Sequence, residues 1–219
     1  MKRKKLVFDM DGTLLDSMAM WNNFLDLYKD FDMSLINIGA VPELEKTSSL
    51  SYSVQLVKDY LNEVLSDEEI AMKVHAVLFD FYSSKNRAKS NVEKTLLELY
   101  EEGYEIYLAT ATDYIYAREG IRMAEVLPYF KKLYTPDTIG FKKHLPAYYD
   151  FIISDIGAEP EDCIFFDDAS YAIELAKNSG YYTVGMYDPH SSEMDKVESV
   201  SDYFVKDFAE IKDLLGKIK

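Results

Sequence analysis

The sequence predicts an α/β fold: a Rossmann-like three-layer core built on a parallel sheet, with an all-helical cap inserted after the first strand. Over the second half of the chain, short apolar segments alternate with helix-length amphipathic segments, which is typical of a parallel sheet with helices on both faces. A long helical stretch interrupts that alternation directly after the first apolar segment. The 219 residues suffice for one large domain or for a core with a smaller insert.

Four short apolar segments are the predicted strands of the sheet. In chain order they are LVF at 6–8, YEIYLAT at 104–110, CIFF at 163–166 and YYTVGM at 181–186. Helices are predicted between them. One is SNVEKTLLELYEEG, in which Ser90 and Glu93 form a capping-box pattern and Gly103 is a helix stop. Another is SYAIELAKNSG, which ends at Gly180.

Residues 17–89 are the predicted cap. Asp16 or Ser17 can cap its first helix, and Ser66 with Glu69 forms a capping-box pattern at the start of its last one. No alternating strand pattern occurs in this stretch. The predicted organisation is therefore a core of residues 1–16 and 90–219 with a cap of residues 17–89.

The charge balance narrows the range of partners. Lys and Arg number 24 and Asp and Glu number 39, so the net charge is −15. Such a surface repels nucleic acid and anionic membranes, so neither is an expected partner. The single cysteine, Cys163, excludes an internal disulfide, and we expect no disulfide-linked partner and a reducing, cytoplasmic setting.

Carboxylates and a hydroxyl follow three of the predicted strands. They are Asp9 and Asp11 after the first, Thr110 at the end of the second, and Asp167 and Asp168 after CIFF. The carboxyl ends of parallel strands meet at one edge of the sheet, where ligands bind. Close carboxylates repel unless a cation lies between them, and Mg²⁺ prefers oxygen ligands. A magnesium site is therefore predicted at this edge.

The motif FDMDGTLLDS at 8–17 resembles the haloacid dehalogenase-like superfamily, specifically its small-cap branch of phosphatases and phosphomutases, similar to phosphoglycolate phosphatase and β-phosphoglucomutase. The threonine, a lysine loop and the paired acids follow in that family's order, so the resemblance spans the core. It implies that Asp9 is a nucleophile that becomes an aspartyl phosphate. It also implies that Asp11 is the general acid and base.

The same resemblance assigns the phosphate-binding groups. Thr110 matches the hydroxyl that holds a phosphoryl oxygen, and the backbone amide of Ala111 is a further donor. The register of the lysine loop, GFKKHLP, favours Lys143 as the active-site lysine and leaves Lys142 open as the alternative. His144 stands where the family usually has proline.

The paired acids of the resemblance complete the metal site. Asp168 matches the principal ligand and Asp167 a water-linked partner, beside the carboxylate of Asp9 and the carbonyl of Asp11. Ala169 replaces the family's usual serine. Mg²⁺ takes only one or two carboxylates and keeps several waters, so this set is sufficient.

The predicted function is a magnesium-dependent phosphomonoester hydrolase acting on a small phosphorylated metabolite. A sugar phosphomutase similar to β-phosphoglucomutase uses the same core and is the alternative among enzymes. A catalytically silent phosphate-binding module is the alternative of another class. The groups that select the substrate are not evident from the sequence. Candidate cations are Arg118 and Arg122 after the second strand, and Lys85, Arg87 and Lys89 near the second cap hinge.

Overall fold

The computed structural model describes residues 5–35, 41–42, 44, 48–62, 64–85 and 87–218. Its centre is a six-stranded, all-parallel sheet in the order β3-β2-β1-β4-β5-β6. The strands are β1 (Lys5–Phe8), β2 (Glu105–Ala109), β3 (Phe130–Tyr134), β4 (Cys163–Asp167), β5 (Tyr182–Met186) and β6 (Tyr203–Val205). The predicted fold class is confirmed.

Two strands were not predicted from the sequence, β3 and β6, and they lie at the two edges of the sheet. In β3 only Tyr134 is fully buried, and Lys131 and Lys132 are exposed. In β6 only Val205 is buried. An edge strand packs less of its surface than a central strand, so neither segment carries the continuous apolar run by which the other four are recognised.

Helices cover both faces of the sheet. The core helices are α5 (Val92–Glu101), α6 (Tyr114–Met123), α7 (Pro136–Ile139), α8 (Pro146–Ile156), α9 (Ser170–Asn178), α10 (Met194–Val200) and α11 (Glu210–Lys217). Successive side chains of a strand point to opposite faces. Leu6 and Phe8 therefore share a buried cluster with α5 and α11, whereas Val7 belongs to a second cluster with α8 and α9. This arrangement is a three-layer sandwich.

Residues 17–89, called the cap segment below, are helical wherever the structure describes regular structure within them, apart from an isolated β-bridge between Ala88 and Leu15. The helices are α1 (Met18–Asn22), α2 (Phe24–Asp30), α3 (Ser49–Tyr60) and α4 (Asp67–Asp80), with a short 3-10 turn at Met33–Leu35. A π-helical turn, Phe81–Lys85, continues α4. The capping box of Ser66 and Glu69 is confirmed at the start of α4. The division of the chain at residues 17 and 89 stays a prediction.

The two connections of the cap segment run side by side. The amide of Asp16 donates to the carbonyl of Arg87 at 2.9 Å, and the amide of Lys89 donates to the carbonyl of Leu14 at 2.9 Å. The chain therefore leaves and re-enters the core next to the loop that follows β1.

Two predicted helix caps are wrong. Helix α5 begins after Asn91, which has a left-handed φ of 64° and makes no side-chain cap bond, so Ser90 and Glu93 do not form a capping box. Ser17 precedes α1, but its hydroxyl does not cap that helix. Among the helices in the described ranges, none combines the length and apolarity that crossing a membrane requires.

Candidate active site

Three buried carboxylates converge at the carboxyl ends of β1 and β4. Asp9 follows β1, Asp167 ends β4, and Asp168 is the next residue. The two strands are hydrogen-bonded neighbours, with Phe8 opposite Phe166. One carboxylate oxygen from each acid lies within 4.8 Å of the others. The parallel pairing of β1 and β4 thus builds an acidic cluster from residues more than 150 positions apart.

Lys143 lies among these acids. Its ammonium pairs with the carboxylate of Asp9 and, at 2.7 Å, with Asp167 Oδ2. The side chain is 4% exposed. Lys142 lines the same pocket and is half-buried. Of the two lysines left open by the sequence, the structure brings Lys143 to the acids; its catalytic role stays a prediction.

One ammonium does not balance three buried carboxylates. Burial, reinforced by the carboxylates of Asp167 and Asp11 and opposed by Lys143, raises the pKa of Asp9 to about 8. Burial and the carboxylates of Asp167 and Asp9 also raise the pKa of Asp168. Burial opposes the charge of Lys143, but the two acids outweigh it and raise the pKa of the ammonium. A further cation would relieve the repulsion that remains.

The loop after β1 is shaped to admit the carboxylate of Asp168. Gly12 has a φ of +82°, and a Cβ built on it would lie 2.3 Å from Asp168 Oδ2. A side chain at this position would therefore collide with the acid and strain the backbone. The next residue, Thr13, donates its hydroxyl to Asp168 Oδ1 at 3.0 Å. The Gly-Thr pair thus leaves space for the carboxylate and orients it.

Asp11 is held by three hydroxyl groups. Ser17 and Tyr82 donate to its Oδ1 at 2.6 and 2.7 Å, and Thr112 donates to its Oδ2 at 2.7 Å. Ser17 and Tyr82 come from the two ends of the cap segment, whereas Thr112 comes from the core. The hydroxyl of Ser17, which the sequence suggested as a helix cap, serves this carboxylate instead.

The residues after β2 reach both the pocket and the cap segment. Thr110 and Ala111 line the pocket, and Thr110 Oγ1 accepts a hydrogen bond from the amide of Thr112 at 3.1 Å. Asp113 precedes α6, but its carboxylate accepts from the amides of Ser49 and Leu50, at 2.8 and 2.9 Å. It therefore caps α3 of the cap segment rather than its own helix.

A cavity of about 360 Å³ joins these groups. Its lining from the core includes all the acids, Thr110, Ala111, Lys142, Lys143, His144, Pro136, Ala169 and Tyr171. Among the described residues of the cap segment, Met18, Trp21, Ser48, Ser49 and Tyr52 line it. The pocket thus has one wall of charged and hydroxyl groups and another wall rich in aromatic surface.

The family model of the haloacid dehalogenase-like hydrolases matches residues 4–180 of this sequence. The chain belongs to that family. The fold, the order of the motifs and the acidic cluster all agree with this membership, and the sequence-based resemblance is confirmed. The protein is accordingly a hydrolase of the haloacid dehalogenase-like type.

Curated relatives of this hydrolase carry phosphatase names. It is 23% identical to a phosphoglycolate phosphatase of Vibrio vulnificus, over 97% of this chain and 96% of the relative. It is 28% identical to a phosphoglycolate phosphatase of Vibrio cholerae, over 85% of each. It is 27% identical to a glyceraldehyde 3-phosphate phosphatase of Pyrococcus furiosus, over 99% of this chain and 95% of the relative.

Solved structures share the fold at lower identity. A predicted phosphoglycolate phosphatase of Haemophilus somnus superposes with a TM-score of 0.75 at 19% identity, covering 98% of this chain and 99% of the other. A candidate β-phosphoglucomutase of Thermotoga maritima superposes with a TM-score of 0.74 at 20% identity, covering 99% and 100%. These likenesses establish the fold alone.

Of the cations suggested for substrate selection, the four with described side chains, Arg87, Lys89, Arg118 and Arg122, are not part of the pocket lining of this hydrolase. Arg118 and Arg122 are exposed, and Arg122 pairs with Glu119 at 2.5 Å. Arg87 is exposed as well. Lys89 instead pairs with the buried carboxylate of Asp188 at 2.7 Å and donates to the carbonyl of Gly12. The side chain of Lys85 lies outside the described residues.

Sequence reasoning missed the groups that support the acids in this family member. Tyr82, Thr112 and Ser17 bind Asp11, and Thr13 binds Asp168. Thr13 and Thr112 stand in the segments already singled out, so their proximity to the acids was a usable signal. Tyr82 lies 71 residues from Asp11 and carries no such local signal.

Proposed function

We propose that this hydrolase is a magnesium-dependent phosphomonoester phosphatase that works through an aspartyl phosphate on Asp9. One observation carries the proposal: Asp9 and Asp11 line one pocket, the first paired with Lys143 and the second held by three hydroxyls. Two acids in such different environments suit two different tasks. The phosphatase names of the curated relatives support the same reading.

In the first half-reaction a carboxylate oxygen of Asp9 attacks phosphorus and the ester P–O bond breaks. Asp11 gives its proton to the departing alcohol oxygen. Lys143 and the Thr110 hydroxyl stabilise the phosphoryl oxygens as charge develops on them. The alcohol leaves, and the phosphoryl group stays on Asp9.

In the second half-reaction Asp11, now ionised, takes a proton from a water molecule. The water oxygen bonds to phosphorus, and the bond between phosphorus and Asp9 breaks. Inorganic phosphate departs, and both acids return to their starting state. Because the same carboxylate donates and then accepts a proton, its orientation matters in both half-reactions.

The residues fit a magnesium ion. The carboxylates of Asp9 and Asp168 and the carbonyl of Asp11 would bind the ion directly. Asp167 would contact it through a water molecule and would position Lys143 by their ion pair. The absence of a side chain at Gly12 lets the Asp168 carboxylate reach the cluster, and the surplus of buried negative charge suits a small cation with oxygen ligands. When bound, the ion polarises the phosphoryl group and offsets the negative charge of the acids.

We propose a small phosphorylated metabolite as substrate and the reducing cytoplasm as location, consistent with the acidic charge and the single buried thiol of Cys163. We further propose that residues 17–89 act as a lid over residues 1–16 and 90–219. The lid would exclude bulk water during phosphoryl transfer and open to release products.

Hydrolysis of phenyl phosphate, with and without Mg²⁺, tests the proposed function. We expect release of inorganic phosphate that requires Mg²⁺ and stops with a chelator, and a phosphoenzyme that acid quenching traps. Asp16→Asn, which changes an exposed carboxylate of the same loop, is the matched control and should retain full activity. Full turnover in metal-free buffer would contradict the mechanism. Transfer of the phosphoryl group to a sugar without release of phosphate would indicate the mutase instead.

A further inference from the structure

The two ends of the pocket differ in chemistry. At the phosphate end lie the acids and Lys143. The lining also includes Met18, Trp21 and Tyr52 of the cap segment and Tyr171 at the start of α9. Trp21 is half-buried, whereas Tyr52 and Tyr171 are exposed, so their rings offer unoccupied surface to a ligand.

The described part of the lining is poor in positive charge beyond the phosphate end. Lys143 is already paired with Asp9 and Asp167. Lys142 and His144, its neighbours in the same loop, belong to the lining from the core. The cap wall contributes aromatic, thioether and hydroxyl groups. In a chain of net charge −15, a second anionic group on the substrate would meet little compensation there.

We propose that the preferred substrates are phosphomonoesters of uncharged alcohols that carry an aromatic ring. This inference rests on the proposed phosphatase function and names its substrate class. An aromatic ring can pack on Trp21 and Tyr52 by offset stacking or edge contacts. The cavity of about 360 Å³ lies within the usual size of small-molecule pockets and has room for an alcohol larger than a two-carbon acid.

The test compares three alkyl phosphates: benzyl phosphate, ethyl phosphate and phosphoglycolate. We expect kcat/KM for benzyl phosphate to exceed that for either of the others by about tenfold, since an aromatic contact of about 1.4 kcal/mol corresponds to that factor. A preference for phosphoglycolate would overturn the inference and leave the phosphatase function intact. Absence of turnover with all three and with phenyl phosphate would instead refute the proposed function.

A pair of tyrosine variants on one helix locates the selecting surface. Tyr52→Ala should lower kcat/KM for benzyl phosphate by about fivefold and change that for ethyl phosphate by less than about twofold. Tyr60→Ala is the matched control, because Tyr60 ends the same helix α3, is exposed and is not part of the pocket lining. Equal losses on both substrates after Tyr52→Ala, or no loss on either, would overturn the role of this ring.

A separate set of hydrogen bonds points to a second inference. Tyr82 is fully buried in the π-helical turn after α4, and its hydroxyl donates to Asp11 Oδ1 at 2.7 Å. The same hydroxyl accepts from Trp21 Nε1 at 3.1 Å. π-helical turns inside helices occur frequently at functional sites. The chain of contacts runs from the cap segment to the acid.

We propose that Tyr82 is a positioning residue for Asp11. Its hydroxyl, with those of Ser17 and Thr112, fixes the rotation of the carboxylate so that its proton points to the leaving oxygen. Because Ser17 and Tyr82 belong to the two ends of the cap segment, the acid is aligned when that segment lies over the core. This inference rests on the proposed role of Asp11.

Leaving-group dependence separates this role from a structural one. Protonation by Asp11 matters for a poor leaving group such as ethoxide and little for 2,4-dinitrophenolate. Tyr82→Phe should therefore lower kcat/KM for ethyl phosphate by about tenfold. This loss is smaller than the roughly 10²–10⁴-fold rate enhancement that a general acid typically contributes, because Asp11 itself is retained. The kcat/KM for 2,4-dinitrophenyl phosphate should change by less than about twofold. Tyr116→Phe is the control, because the ring of Tyr116 stacks on Tyr82 but its hydroxyl forms a hydrogen bond with His75 rather than with Asp11.

Two results would overturn the positioning role. Equal losses on both substrates would make Tyr82 a structural residue, and an unchanged kcat/KM on both would make its hydroxyl irrelevant to catalysis. Asp11→Asn is measured in parallel. If Asp11→Asn lowers kcat/KM equally for both substrates, Asp11 is not the general acid and the proposed function fails. That result differs from one in which Asp11→Asn shows the expected leaving-group dependence and Tyr82→Phe does not.

Discussion

The two walls of the pocket are constructed in different ways. The phosphate wall is built mainly from residues at strand ends, where the sheet fixes the backbone, and Asp9, Asp167 and Asp168 are almost fully buried and bonded to neighbouring groups. The cap wall consists of side chains on or beside the helices of the cap segment, where Met18, Trp21 and Ser49 are half-buried and Tyr52 is exposed. Catalysis of phosphoryl transfer requires positions fixed to a fraction of an ångström, whereas recognition of an alcohol tolerates looser contacts. We infer that reaction and selection reside in separate walls.

The largest effect is expected at the phosphate wall. Asp9→Asn replaces the attacking carboxylate by an amide, which is a poor nucleophile, so turnover should fall by roughly 10³-fold or more. Acid-quenched samples should contain no phosphoenzyme. Steady-state release of phosphate from benzyl phosphate measures the loss. Turnover close to that of the unaltered enzyme would show that the nucleophile lies elsewhere and that the phosphate wall is not where the reaction takes place.

The lysine loop offers an internal comparison within the same wall. Lys143→Ala removes the ammonium between Asp9 and Asp167 and should lower kcat by about 10²–10³-fold, as loss of a preorganised charge does. Lys142→Ala should change kcat by less than about threefold. Measuring kcat of both variants on the same substrate tests which lysine serves the active site. A reversed order would assign the active-site lysine to position 142.

A contact between the walls should have an intermediate effect. The carboxylate of Asp113 in the core accepts hydrogen bonds from the amides of Ser49 and Leu50 at the start of α3. Asp113→Ala therefore removes hydrogen bonds that hold this helix against the core. We expect KM to rise by about three- to tenfold, because loss of such a bond costs about 0.5–1.5 kcal/mol. Asp113→Asn keeps an acceptor and should recover most of the affinity. An unchanged KM in Asp113→Ala would show that this contact does not hold the lid.

The smallest expected effect concerns stability. The pKa of Asp9 is about 8 in the folded protein and about 3.9 in an unfolded chain. Between these values the folded state holds a proton that the unfolded state lacks, so in a chelator stability should fall as pH rises from about 4 to 8. Asp9→Asn should therefore melt about 2–4 °C or more above the unaltered protein at pH 8, with a smaller difference at pH 5.

Thermal melts at the two pH values, with and without Mg²⁺, check this expectation. Mg²⁺ should raise the melting temperature of the unaltered protein, because it binds the folded carboxylates. The gain should be smaller in Asp9→Asn. A melting temperature of Asp9→Asn below that of the unaltered protein in chelator would indicate that the ion pair with Lys143 stabilises the fold more than the buried charge destabilises it.

The central sheet and its acidic edge follow from local sequence. A buried strand such as Leu6–Phe8 or CIFF is apolar over its whole length, and an acid directly after it must lie at the carboxyl end. Once the strands are parallel, Asp9 and Asp168 lie at one edge of the sheet, and the pairing of β1 with β4 brings them together. Gly12 and Thr13 belong to the same motif. The sequence by itself therefore determined the fold class and the position of the acidic cluster.

Only the tertiary structure decided which groups support that cluster. The hydroxyl of Tyr82 reaches Asp11 across 71 residues, and the carboxylate of Asp113 caps a helix 64 residues away rather than its own. Which of Lys142 and Lys143 reaches the acids likewise depended on the path of a loop. Periodicity and capping patterns describe contacts between residues a few positions apart. These contacts depend on how the cap segment packs against the core, which no local pattern encodes.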